Sequence, residues 1–312
     1  VKELTQLQLL TELEPVVERE LERHMKAAKE WFPHEYVPWS QGRNYEGIFD
    51  GEPWSQEQSP MSPTARTALI VNLLTEDNLP SYHREISDTF GRDGAWGTWV
   101  DRWTAEEGRH GMVMRDYLLV TRAVDPVQLE RERMSHMGQG FEQDNDEMLR
   151  SVAYVSFQEL ATRISHRNTG KYTEDPYCEQ MLARIAQDEN LHMVFYRNLL
   201  AAALEIAPEQ TLQAVRDVVA TFQMPGHTIQ DFGRRSVQIA MAGIYDLRIH
   251  RDEVLAPVLK TWKVWDREGL GAEGEQAREE LARLLDDLDV AASRFEEKRD
   301  AYLERQAARR AG

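Results

Sequence analysis

The chain has 312 residues, 41% of them hydrophobic and 29% charged, which is enough apolar material for a sizeable core. Its formal net charge is −17 and its pI about 5.0, a balance that argues against nucleic acid as a partner. The single cysteine, Cys178, excludes an internal disulfide framework and any cysteine-built zinc or iron–sulfur site. With a mean hydropathy of −0.60, the longest apolar runs (67–74, 199–207 and 237–245) are too short to span a bilayer. The opening VKELTQLQLLTELEP lacks the basic and apolar regions of a signal peptide, so a cytoplasmic protein is expected.

Apolar residues recur at three- and four-residue spacings nearly throughout, and alternating strand patterns are scarce. The expected class is all-α, in a single domain over 1–312. Helices are predicted at 3–30, 64–90, 94–122, 126–139, 146–169, 175–206, 208–223, 228–243, 250–268 and 272–307. Residues 33–63 hold five prolines (Pro33, Pro38, Pro53, Pro60, Pro63) and read as an ordered loop ending at a helix start, with Ser62 as cap and Pro63 in the first position. The segment 295–312 is a highly charged helix former, expected to be solvated and to fray.

One internal repeat carries chemistry. Glu76 is followed 31 residues later by Glu107, which opens Glu107-x-x-His110. Glu159 is followed 30 residues later by Glu189, which opens Glu189-x-x-His192. Residues i and i+3 of a helix lie about 60° apart around the axis and about 4.5 Å along it. A carboxylate and an imidazole so placed can grip one metal, or one metal each with a shared bridge. Two facing helix pairs would supply four glutamates and two histidines, the set used by carboxylate-bridged dinuclear bundles.

A lone Glu-x-x-His is common in helical proteins and means little. Here, however, each glutamate continues an apolar stripe: Leu69 and Leu73 before Glu76, Val100 and Trp103 before Glu107, Val152 and Val155 before Glu159, Leu182 and Ile185 before Glu189. An unpaired carboxylate on such a face costs several kcal/mol. Two divalent metals would balance four such anions, and oxygen-rich ligands with two imidazoles suit iron or manganese better than zinc.

Around these residues the chain resembles the soluble acyl-carrier-protein desaturases, the stearoyl-carrier desaturases of plants among them. The resemblance rests on LTEDNLPSY at Glu76, WTAEEGRHG at Glu107 and His110, FQELATRISHRNTG at Glu159, and DENLH at Glu189 and His192. FQMPGH (222–227), GIY (243–245), WKV (262–264) and GLGAEG (269–274) extend it over about residues 12–290, nearest to mycobacterial-type members linked to long-chain and mycolic-acid lipid synthesis.

The resemblance implies a ferritin-like bundle with flanking helices, a homodimer, and two iron ions held by Glu76, Glu107, His110, Glu159, Glu189 and His192. It also implies O₂ as co-substrate, reduced ferredoxin as electron donor, and an acyl chain on acyl carrier protein lying in a deep apolar tunnel. Thr162 matches the family's threonine near the oxygen-binding face. Asp188 and Trp31 match positions of ligand support and electron entry. His166, two turns past Glu159, reads as a supporting histidine, and Thr162 could simply bond its own helix.

Both this chain and acyl carrier proteins are acidic, so docking needs a local basic patch. Arg234, Arg235, Arg248 and Arg251 are the candidates, unless they pair with Asp231, Asp246 and Asp252. Gly108 stands where the family has asparagine, and Asn190 and Leu191 where plant members carry a basic pair. The stretch His83-Arg84-Glu85-Ile86 is more polar than the plant counterpart, so if it lines the tunnel here too, chain length and double-bond position do not carry over. Rival readings are a ribonucleotide-reductase radical subunit, disfavoured by Met114 one turn after His110 with Tyr117 a turn further on, a di-iron hydroxylase or N-oxygenase, and a non-catalytic carrier-binding scaffold. Membrane desaturases, with histidine clusters among transmembrane spans, are excluded.

Overall fold

Proline and cap residues set most helix starts in this chain. The computed structural model describes residues 3–141 and 147–311. Helix α1 (Gln6–Ala27) starts on a capping box between Thr5 and Gln8. Helices α2 (Pro63–Asp77), α5 (Pro126–Gln139) and α7 (Pro176–Ile206) each place proline in the first position behind a Ser62, Asp125 or Asp175 cap. Between them lie α3 (Leu79–Phe90), α4 (Gly94–Val120) and α6 (Met148–Tyr172). Then follow α8 (Pro208–Thr221), α9 (Phe232–Met241), α10 (Leu247–Ile249), α11 (Ala256–Thr261) and α12 (Ala272–Ala311). No strand occurs among the described residues, only an isolated bridge between Tyr45 and Glu52. Among the described residues no helix is long and apolar enough to cross a membrane.

The expected helix 64–90 is two helices. Pro80 cannot donate to the Glu76 carbonyl and disfavours helical geometry at Leu79, so the chain turns at Asn78 (φ −82°, ψ 11°). The break lies immediately after Glu76. The segment expected as one helix over 250–268 is interrupted too: α10 runs into a π-helical stretch, His250–Leu255, before α11, and the helix stops at Thr261. The expected helix 228–243 begins only at Phe232, because 222–231 is a strap. The Tyr154 and Tyr82 hydroxyls donate to the carbonyls of Gln223 and Pro225 in it (2.9 and 3.1 Å).

The segment before α2 carries three short 3₁₀ turns, Pro33–Tyr36, Trp39–Gln41 and Gln56–Gln58. Arg122 clasps it. This buried guanidinium donates to the carbonyls of Glu52 and Pro53 and to Gln58, and lies over the Tyr45 ring at 4.1 Å. The C-terminal helix runs to Ala311, and an Arg299–Asp246 ion pair of 3.1 Å ties it to the residue before α10.

Two apolar clusters form the core, and the polar repeat lies between them. On α4, Trp96, Trp99, Val100 and Trp103 belong to one cluster, and Val113, Met114, Tyr117 and Leu118 to the other. On α7 the order reverses: Cys178 to Ile185 lie in the second cluster and Met193 to Leu204 in the first. The two helices are therefore antiparallel, and Glu107-x-x-His110 meets Glu189-x-x-His192 at mid-bundle. Glycine allows the closest approaches. A Cβ on Gly111 would stand 3.2 Å from the Asp77 carboxylate, and one on Gly170 would stand 3.1 Å from the Glu179 backbone.

Candidate metal centre

The structure gathers all six residues of the duplicated motif in one buried layer. They fall into two groups whose ligand atoms lie within 4.8 Å of one another: Glu76, Glu107, His110 and Glu189, and Glu107, Glu159, Glu189 and His192. Glu107 and Glu189 belong to both. The arrangement could hold two metal ions with shared carboxylates, each group completed by one further glutamate and one histidine.

The donor atoms fit such ions. His110 Nδ1 stands 3.3 Å from both Glu107 and Glu189 and 3.8 Å from Glu76. His192 Nδ1 stands 2.7 Å from Glu107, 3.6 Å from Glu159 and 3.8 Å from Glu189. Both Nδ1 atoms, one oxygen each of Glu107 and Glu159, and both oxygens of Glu189 are buried without a hydrogen-bond partner among the described residues. Burial, with Glu107 and Glu159 as neighbours, pushes Glu189 well above the usual carboxylate range. Unpaired lone pairs and mutually repelling anions are what divalent cations satisfy.

The outer faces of the histidines are held by a crossed pair of acids. Asp188, on α7, accepts from His110 Nε2 on α4 at 3.4 Å. Glu106, on α4, accepts from His192 Nε2 on α7 at 2.9 Å. Each acid therefore fixes a proton on Nε2 and leaves Nδ1 free for a metal. Asp188 also accepts from Trp31 Nε1 and Arg109 (both 2.8 Å) and from Arg184. Glu106 also accepts from His24 Nε2 (2.9 Å) and pairs with Arg102. Burial alone would raise both acids. The bonds from His110, Trp31 and Arg184 outweigh it at Asp188, those from His192 and His24 at Glu106, and both stay well below the usual range.

Glu106, His24 and Arg102 were missed in the sequence, and a signal for two of them was there. The repeat is longer than Glu-x-x-His: Arg102-x-x-x-Glu106-Glu107-x-x-His110 matches Arg184-x-x-x-Asp188-Glu189-x-x-His192. Glu106 is the counterpart of Asp188. His24 lies on α1, outside the repeat, and only the fold brings it in.

The other candidates are placed as follows. His166 Nε2 stands 3.0 Å from Glu76, with Asn72 Nδ2 3.3 Å behind its Nδ1. Trp103 Nε1 donates to Glu159 at 3.0 Å. Thr162 donates to the Gln158 carbonyl of its own helix and accepts from the Gln158 amide (both 2.9 Å), while facing a cavity that also touches Glu76 and His166. A second cavity opens on the Glu76, Glu107 and Glu159 carboxylates and is walled by Leu79, Tyr82, Ile86, Tyr154 and Val155. Thr75 and Glu76 border both.

Tyr117 is far from radical-site duty in its contacts, bonding Asp175 at the start of α7. Among the candidate docking arginines, Arg248 is held by Asp289 and Glu296 of α12, Arg251 by Asp252 and the Leu285 carbonyl, and Arg235 by Glu132. Arg234 is exposed and forms no ion pair with the described residues.

The family model for "Fatty acid desaturase" matches residues 5–310. The chain belongs to this family of desaturases. It is 51% identical to the acyl-[acyl-carrier-protein] desaturase DesA1 of Mycobacterium tuberculosis, over 97% of this chain and 92% of that protein. It is 31% identical to the chloroplastic stearoyl-[acyl-carrier-protein] 9-desaturase 5 of Oryza sativa, over 82% and 70%. The X-ray structure of the acyl-carrier desaturase DesA2 from Mycobacterium tuberculosis superposes with a TM-score of 0.70 at 30% identity, covering 86% of this chain and 98% of that one. The helical bundle is thus the ferritin-like desaturase fold, and the six buried donors lie within the family match.

Proposed function

We propose that the chain is an acyl-[acyl-carrier-protein] desaturase that uses two iron ions, O₂ and reduced ferredoxin to place a cis double bond in a long acyl chain. The observation that carries this reading is the pair of four-residue donor groups sharing Glu107 and Glu189, with an apolar-walled cavity opening on three of their carboxylates. Two irons in these groups would supply the O₂-derived oxidising power that an unactivated C–H bond requires. Two hydrogens from the chain, with two electrons and two protons from outside, reduce one O₂ to two waters.

The chain's own residues do the rest. Leu79, Ile86 and Val155 hold an alkyl segment against the carboxylate layer and exclude water. Trp103 and His166 orient the terminal glutamates by hydrogen bonds, and Asp188 and Glu106 orient the histidines. Trp31, bonded to Asp188, is the electron-entry residue of this reading. Beside it opens a groove lined by Lys29, Arg163, Arg167 and Arg184. Lys29, Arg163 and Arg167 form no ion pair with the described residues, in a protein of net charge −17. That local charge favours an acidic reductant such as ferredoxin. Carrier docking is assigned in this reading to Arg234, which lies in sequence between the cavity residues Phe232 and Ser236 and forms no ion pair with the described residues, whereas Arg235, Arg248 and Arg251 are already engaged by acids; a cytoplasmic homodimer completes the reading.

Incubation of the iron-loaded protein with acyl carriers, ferredoxin, its reductase and O₂ should yield a mono-unsaturated acyl product by mass spectrometry. Iron loading and carrier binding without product would instead favour the non-catalytic scaffold. Thr162 gives a finer test. Its hydroxyl can turn from the Gln158 carbonyl toward the cavity and donate a proton near Glu76. Thr162→Val should leave iron content near normal, slow desaturation several-fold and raise O₂ consumed per double bond. Unchanged rate and coupling would make the hydroxyl purely structural.

A further inference from the structure

Helix α12 is held to the body in two different ways. Up to Leu288 its contacts are apolar: Ala277 and Leu281 are buried in the first core cluster, and Leu284, Leu285 and Leu288 pack against it. From Asp289 onward none of its described residues belongs to either cluster, and Ala292 is the one buried side chain among them. Charge holds this second half. Arg248 of α10 donates to Asp289, to Ser293 Oγ (2.9 Å) and to Glu296 (3.2 Å), which share one face of α12. Arg299 reaches back to Asp246. The Asp289 and Glu296 side chains are 46% and 31% exposed, and ion pairs so placed are individually weak and exchangeable. Arg248 follows Tyr245 by three residues, and Tyr245 lines the cavity that touches Glu76, Thr162 and His166. Within its own segment Arg248 has only Asp252, at 3.7 Å. Without α12 it would be a nearly free cation beside that cavity, in a protein of net charge −17.

We propose that the half of α12 from Asp289 onward is a displaceable cover on Arg248, and that the acidic acyl carrier takes its place when it docks. The partner is the carrier of the reading above, on which this assignment rests. Asp289 and Glu296 give Arg248 what an acidic protein surface would give it. Arg234, which is exposed and already free, offers the first contact, and Arg248 joins it once the cover lifts. The exchange replaces one set of surface ion pairs by another, so little free energy opposes it. The apolar stripe from Leu281 to Leu288 keeps the helix attached meanwhile.

The test is binding of labelled acyl carrier protein to the full chain, read by fluorescence anisotropy at low and high salt, with helical content checked for each variant. Asp289→Asn combined with Glu296→Gln should bind the carrier about three- to tenfold tighter than the parent at low salt, and the gain should vanish at high salt. Neutralising two acids also lessens the general repulsion, so Asp286→Asn with Asp287→Asn is the control. Both are exposed, form no ion pair with the described residues and give the same change of charge on the same helix. This control should bind within about twofold of the parent. Adding Arg248→Gln to the first pair should remove its gain. Amide exchange on the unaltered protein gives a second readout: saturating carrier should speed exchange from Asp289 onward and leave 272–288 protected. No gain in the first pair, an equal gain in the control, a gain that survives Arg248→Gln, or unchanged exchange at saturating carrier overturns the cover alone. A parent and variants that all fail to bind carrier overturn the carrier reading and the cover with it.

Discussion

Glu107→Ala is expected to abolish the two-iron centre, whereas Glu76→Ala should leave a single-iron protein. Glu107 belongs to both donor groups, 2.7 Å from His192 Nδ1 and 3.3 Å from His110 Nδ1, so its loss removes a ligand from each. Glu76 belongs to one group only, and His192, Glu159 and Glu189 remain for the other. Anaerobic loading with Fe(II) followed by O₂ should give close to two irons per chain and an oxo-bridged diferric absorption band in the parent. Glu107→Ala should lose both, with activity at background. Glu159→Ala should mirror Glu76→Ala at the opposite site. Full iron stoichiometry in Glu107→Ala would remove the bridging assignment. Stability should change with the opposite sign. Glu189 is buried among anions that push its pKa up, so Glu189→Gln should raise the Tm of the metal-free protein while lowering that of the loaded one. A fall in both would mean that the carboxylate is held by protein contacts.

The second large effect concerns the crossed acids. Glu106→Ala should weaken one of the two iron-binding steps by roughly 10–100-fold and leave the other near the parent value, and Asp188→Ala should do the same to the other step. The assignment is crossed between helices: Glu106 on α4 serves the site of His192 and Glu159, and Asp188 on α7 serves the site of His110 and Glu76. Combining Glu106→Ala with Glu159→Ala should then add little to the loss at that site. Combining it with Glu76→Ala should impair both. The readout is the two-step Fe(II) binding isotherm, with the spectrum of the remaining iron. If Glu106→Ala binds both irons as the parent does, its bond to His192 is not what aligns the imidazole. If both steps weaken equally in each variant, the two sites are not separable in this way.

The clustering of the candidate donors was legible because each Glu-x-x-His is local. Three residues of helix bring the two side chains to one face whatever the rest of the chain does, and doubling the pattern on apolar stripes says that both faces point inward. The helix starts were legible for the same reason, since Ser62-Pro63, Asp125-Pro126 and Asp175-Pro176 act within one turn. The break after Glu76 was also local, written in Pro80, but the apolar periodicity on both sides of it suggested one helix over 64–90. Glu106 was half legible. Its place in the longer repeat is visible, but an acid next to a ligand reads as a solvated one until its partner is known.

What the sequence by itself determined is the all-α class, the six glutamates and histidines that share inward faces and the acidic balance, all consequences of residue type and helical spacing. The tertiary structure decided which carboxylates are shared, because that depends on α4 and α7 running antiparallel so that Glu107 and Glu189 meet. It decided that Asp188 serves His110 and Glu106 serves His192, pairs 78 and 86 residues apart that no local rule connects. It brought His24 and Trp31, flanking the end of α1, to those acids. It also turned Arg248 toward α12 and Glu85 toward the cavity. Spacing along a helix tells which side chains share a face; only the packing of one helix against another tells what that face meets.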